Sequence, residues 1–183
     1  MQSKMTKQMV MTAAILALTV VFQYLRFLPI DVNISVYLIG SLVNLCLILA
    51  VGLIGLWSGL TISVAAPLIA LLQGYAKLPL VPYLIVGNAV LALLYGLLAV
   101  PAWRKTGKLG MASWGIAGVL AAAIKFAVIA VGTALMLSSQ KSVPLSVTLS
   151  AGAAQQIPQI VTALIAMLLA YLTLPRVKKA ARL

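Results

Sequence analysis

ASWGIAGVLAAAIKFAVIAVGTALML, residues Ala112–Leu137, decides the fold: this long run carries a single charge, Lys125. A helix of about 20 apolar residues is long enough to cross the hydrocarbon of a bilayer. Lipid offers backbone groups no hydrogen bonds, so a spanning segment must satisfy them internally, as a helix does. Membrane strands read as shorter segments of alternating hydropathy, and this run does not alternate.

Five similar runs lie around it, at about Gln8–Leu25, Ile34–Leu53, Leu56–Gln73, Leu80–Pro101 and Ala151–Leu174. The glycines of Gly52-Leu53-Ile54-Gly55-Leu56-Trp57-Ser58-Gly59 predict a tight turn between the second and third runs. The composition agrees: 64% of residues are hydrophobic and 8% charged. A soluble domain has about 45–50% and about 25%, so a soluble globular protein is excluded. The sequence predicts an all-α polytopic membrane protein, with residues 1–183 forming a single six-helix domain in a bilayer.

Orientation follows from the basic residues. Lys4, Lys7, Arg104, Lys105, Lys108, Arg176, Lys178, Lys179 and Arg182 fall on one side of the predicted bundle. Only Arg26, Lys77 and Lys141 fall on the other. The positive-inside rule then places both chain ends in the cytoplasm, in what reads as a bacterial plasma membrane protein. The outer loops are expected at Arg26–Asn33, Gly74–Pro79 and Ser138–Ser150. The net charge of +12 therefore reads as topology, not as nucleic-acid binding.

Absent residue types narrow the chemistry. There is no histidine, one acid (Asp31) and one cysteine (Cys46). No catalytic triad, carboxylate pair or metal-ligand cluster can be assembled from these, so no enzyme, metal or cofactor is predicted. Gly107-Lys108 lacks the rest of a phosphate-binding loop. Intramembrane proton relays use Asp, Glu or His, and no run contains one. Energy for uphill transport would have to come from a partner.

The polar residues inside the runs are the candidate ligand contacts. Lys125, at the centre of its run, costs about 2.5–3.5 kcal/mol to insert. It reads as an ammonium facing a polar cavity and a ligand oxygen, or else as a side chain that snorkels outward or pairs with Asp31. Asn88 and Asn44 offer amides to a ligand or hydrogen bonds between helices. Gln155 and Gln159 are one turn apart at the mouth of an outward-facing site, beside Pro158. That proline is either inside the helix, freeing a carbonyl, or in its first turn. Gln73 and Tyr83 flank the third-to-fourth loop with Tyr75 and Lys77. Arg26 and Asp31 could pair across the first loop. Ala13-x-x-x-Ala17, Gly55-x-x-x-Gly59 and Ala166-x-x-x-Ala170 permit close helix approach.

With Ala13-Ala14-Ile15-Leu16-Ala17 on the first of six helices and basic tails, Met5–Leu174 resembles an S component of an energy-coupling factor (ECF) vitamin transporter. The resemblance implies that Ala13 and Ala17 dock on a transmembrane scaffold subunit driven by two cytoplasmic ATPases. It also implies that the chain captures a vitamin outside and topples to release it inside. A lone cation without acids suits a small anionic or hydroxyl-rich ligand, pantothenate first, with pyridoxine or hydroxymethylpyrimidine next. The alternatives are a stand-alone facilitator or channel for small solutes and, opposed by the missing residue types, an intramembrane enzyme.

Overall fold

The computed structural model of the protein describes residues 2–29, 31–103 and 108–180. Among the described residues, seven α-helices carry the fold: α1 (Gln2–Tyr24), α2 (Val32–Leu53), α3 (Leu56–Leu72), α4 (Val81–Leu94), α5 (Val100–Trp103), α6 (Lys108–Lys141) and α7 (Leu145–Ala180). A π turn, Tyr95–Ala99, joins α4 to α5 and makes one continuous rod of the two. Among the described residues there is no strand. Five helical segments among the described residues are long and apolar enough to cross a membrane, while α3, at 17 residues, is shorter.

Several boundaries differ from the sequence expectation. The expected loop Ser138–Ser150 shrinks to residues 142–144, because α6 runs on to Lys141 and α7 begins at Leu145. Hydropathy marks where a chain can sit in lipid, whereas a helix continues into water for as long as its residues allow. The fourth rod does not stop at Pro101. A proline inside a helix removes a donor and crowds the carbonyl four residues earlier, here Leu97, and the backbone widens into the π turn immediately before it. Arg104, Lys105 and Arg182 of the basic count lie outside the described residues.

The turn between α2 and α3 takes only residues 54–55. Gly55 holds φ at +142° there, a conformation that side chains oppose, and its N–H reaches back to the Ala50 carbonyl at 3.1 Å. Asp31 starts α2: its carboxylate accepts from the N–H groups of Asn33 (2.9 Å) and Ile34 (3.3 Å), as an N-cap does. It is thus engaged away from Arg26, whose guanidinium lies over the Tyr75 ring at 4.8 Å.

Helices α2, α3, α4, α6 and α7 pack in that order into a closed ring, and α1 lies outside on the α2–α3 seam. Small residues set the close crossings. A Cβ on Gly152 of α7 would meet the Ala130 carbonyl oxygen of α6 at 2.7 Å. A Cβ on Gly40 of α2 would meet Thr162 of α7 at 2.8 Å. Of the small-residue pairs, Gly59 sits against Val51 and Ala92, and Ala166 and Ala170 are fully buried. Ala13 and Ala17 are exposed on α1.

The two ends of the bundle differ. The end holding the 54–55 turn and the start of α1 is filled by an apolar cluster that includes Leu47, Val51, Leu91, Ala121, Met167 and Leu174. Trp114 donates its indole N–H to the Tyr95 hydroxyl at 3.2 Å within that cluster. The opposite end, below the connections around residues 25–29, 73–77 and 142–144, holds most of the buried polar side chains.

Candidate ligand-binding site

A cavity of about 110 Å³ opens in this second half of the bundle. Lys125 of α6 lines it and is only 1% exposed. Its Nζ donates to Asn44 Oδ1 of α2 at 2.5 Å. The other Asn44 atom, Nδ2, donates to Thr162 Oγ1 of α7 at 3.1 Å, and that hydroxyl donates to the Gln159 carbonyl at 3.2 Å. Three helices are tied together by one amide, which is thereby fixed in orientation. The ammonium has three donors, so it can give two more to something other than Asn44.

The remaining wall is polar on one side and apolar on the other. Asn88 of α4, Gln159 of α7, and Gln23 and Arg26 at the end of α1 contribute polar groups. Val43, Ala66, Pro67, Ala70 and Leu84 contribute apolar surface. No carboxylate faces the cavity, whereas two cations do. Four amides with two cations form a surface rich in donors, the pattern for holding an anion in a low-dielectric site.

The sequence candidates divide into two groups. Lys125, Asn88, Asn44 and Gln159 come together on this cavity. Lys125 neither snorkels nor meets Asp31, which is exposed at the cap of α2. Gln155 is exposed one turn away and does not line the cavity. Nor does Tyr83, whose ring fills the space that a side chain on Gly132 would need. Gln73 ends α3, with both amide atoms buried and unpartnered away from the cavity. Pro158 sits deep inside α7 rather than in its first turn. Its missing N–H leaves the Ala154 carbonyl without its helical donor.

Two lining residues escaped the sequence reading. Arg26 looked like a loop residue, yet it sits in the 3₁₀ turn Leu25–Phe27 that caps α1. Gln23 lies unremarked inside the first apolar run, and it is 3% exposed and donates Nε2 to the Ala66 carbonyl of α3 at 2.9 Å. The signal for Gln23 was available: an amide four positions after Thr19 falls on one helix face with it, and both are buried.

Comparison with protein-family models, curated proteins and solved structures finds no match.

A second surface lies on the outside of the bundle. A groove of about 430 Å³ runs between α1 and α3, lined by Met5, Met9, Ala13, Leu16 and Trp57 among others. Trp57 is 83% exposed and Met9 69%. Thr12 and Ser58 hydroxyls meet at 2.7 Å beneath it and pin the two helices together.

Proposed function

We propose that this chain is the substrate-binding subunit of an ECF-type importer, a six-span protein of the bacterial plasma membrane with both ends in the cytoplasm. It captures a small water-soluble vitamin outside and releases it inside when docked on a scaffold subunit with two ATPases. In this reading α3 is the shortest span: at about 1.5 Å per residue its length falls slightly below the roughly 30 Å of hydrocarbon.

One observation carries the proposal. Lys125 and Arg26 share a cavity with four amides and no carboxylate. A protein that only had to fold would not hold a charge among apolar helices, because insertion costs about 2.5–3.5 kcal/mol. An anionic ligand offsets that cost. Pantothenate, with one carboxylate and several hydrogen-bonding groups, remains the first choice, ahead of pyridoxine and hydroxymethylpyrimidine, which bring no carboxylate to the two cations.

The sealed half of the bundle supports capture over conduction. The apolar cluster from Leu47 to Leu174 stands between the cavity and the end that carries the chain termini. A facilitator needs a polar path there. The exposed Ala13 and Ala17, next to the α1–α3 groove, fit a face that another membrane subunit covers.

Mass spectrometry of small molecules released from the purified chain tests the reading, followed by uptake in vesicles. Binding by the chain alone, with ATP-driven uptake only when the partners are present, is the expected result. Ala13→Trp and Ala17→Trp should abolish assembly while leaving ligand binding intact. Accumulation of a solute against its gradient by the chain alone would overturn the proposal.

A further inference from the structure

We infer that a recess at the terminal end of the bundle binds an anionic phospholipid, with the phosphate on Lys178 and an acyl chain along Leu53, Leu56 and Leu97. This site lies apart from the cavity around Lys125, and the inference does not depend on what that cavity takes.

The recess measures about 340 Å³ and opens where the 54–55 turn, the π turn and the end of α7 meet. Leu53, Leu56, Leu97 and Val100 wall it with apolar surface, and Lys178 is the one charged residue that lines it. Gly96 in the π turn keeps it open: a Cβ there would meet Val51 at 3.1 Å and Leu56 at 3.2 Å. Leu97 is 61% exposed, so the wall continues onto the outer face of the bundle.

Register on α7 explains why this lysine turns inward. Lys178 comes one turn after Leu174, which is buried, and both line a small void against Gly52 and Tyr95. The aliphatic stem therefore extends the buried face and carries the ammonium to the recess. Its neighbours do otherwise. Lys179 is exposed, and Arg176 turns back to donate to the Leu172 carbonyl at 2.8 Å.

Charge and depth name the occupant. The one acidic side chain of the sequence, Asp31, caps α2 at the opposite end. No acidic side chain can therefore balance Lys178, and a complementary occupant is anionic. A hydrophilic anion would lose water against leucine walls for a single ammonium, whereas a phospholipid brings a phosphate and a chain together. An ammonium has three donors, so the phosphate need not be its sole contact. Trp57 follows Leu56 and is 83% exposed. Tryptophan favours the membrane–water interface, which is the depth of lipid phosphates. Basic pockets between helices on the cytoplasmic side, where the leaflet is anionic, hold lipid headgroups in this way.

The test uses the purified full chain in detergent and native mass spectrometry at about 0.15 M salt, which screens exposed charges. Phosphatidylglycerol should bind about tenfold more tightly than phosphatidylcholine with the same chains. Lys178→Gln should cut that preference about fivefold, the scale of one cation beside an anionic lipid surface, and Lys178→Arg should keep it. Lys179→Gln should leave it within about twofold, because that side chain is exposed and screened. Glycerol phosphate, even in large excess, should not displace the lipid. Absence of the preference overturns the inference. Equal effects of Lys178→Gln and Lys179→Gln overturn it too, since diffuse charge would then draw the lipid. Displacement by glycerol phosphate would make this a site for a free phosphate and likewise overturn it. Where Lys178→Gln fails to fold, the wild type still decides. Phosphatidylglycerol with brominated chains should quench the fluorescence that Trp57→Phe removes, and more strongly than brominated phosphatidylcholine; equal quenching overturns the inference. Binding of the molecule released from the purified chain should be the same in Lys178→Gln as in wild type, and a wild type that holds no vitamin leaves the lipid site standing.

Discussion

The two halves of this bundle are built from the same helices and solve opposite problems. At the terminal end, Leu47, Leu91, Ala121 and Leu174 fill space with apolar atoms, and the one notable polar contact, Trp114 to Tyr95, satisfies itself. At the other end, Lys125, Gln23 and Asn88 are just as well buried, yet they keep hydrogen-bonding capacity that the protein leaves unused. Within a bilayer, apolar burial offers little drive for helix association because lipid is equally apolar. Tight packing of small residues holds the first half. The second half gives up some packing for polar groups, which the proposed ligand would engage.

Lys125→Met is the harshest way to break that contrast. Truncating a buried charged contact typically costs 2–5 kcal/mol of binding, so affinity for the released ligand should fall about a hundredfold or more by calorimetry. Thermal stability should hardly move. Removing the ammonium relieves about 2.5–3.5 kcal/mol of insertion cost and strands Asn44 Oδ1, at about 1–3 kcal/mol. A large loss of stability would mean that the lysine serves the fold instead.

Gly152→Ala should damage both properties at once. The new methyl meets the Ala130 carbonyl oxygen at 2.7 Å and the Ala134 nitrogen at 2.9 Å, and backbone cannot swing aside. Overpacking of this kind costs about 1–3 kcal/mol. Because α6 carries Lys125 and α7 carries Gln159, the forced separation should also weaken binding several-fold, measured beside the melting temperature.

Leu174→Ala sharpens the contrast from the sealed side. Leu174 is 3% exposed and packs over Gly52. The loss should be about 1–2 kcal/mol, less than the 2–5 typical of soluble cores, because lipid supplies much of the transfer term. Affinity should stay within about twofold of wild type, since the cavity lies at the other end.

What the sequence made legible follows the same division. Long apolar runs announce helices, and a lysine among them announces a cavity, because both depend on composition along the chain. Which face a residue turns depends on three dimensions, and a run that is apolar nearly all round carries no period to reveal it. Gln155 and Gln159, one turn apart, could not be separated by spacing, yet only Gln159 reaches the cavity. Tyr83 flanks a loop in the sequence, and only the fold shows that its ring fills the space beside Gly132, distant along the chain. Gln23 offered a spacing to Thr19 but no sign of its partner, because the Ala66 carbonyl belongs to another helix. Interior prolines told a partial story: Pro101 read as an end yet lies within a helical rod, and Pro158, left open between the helix interior and its first turn, lies inside α7.

Thr162→Val is the mildest probe, and it separates positioning from contact. The Thr162 hydroxyl accepts from Asn44 Nδ2 and does not line the cavity. Valine keeps the shape that packs against Gly40 and deletes that acceptor together with the hydroxyl's own bond to the Gln159 carbonyl. Such interhelical hydrogen bonds average about 0.6 kcal/mol in membranes, so affinity should drop about threefold. Asn44 does not flip in the variant, because presenting Nδ2 to the ammonium would set donor against donor. Lys125 therefore keeps its place with a looser partner, and the loss stays small. A drop as large as that of Lys125→Met would instead make Thr162 a ligand contact and move the wall of the cavity one turn along α7.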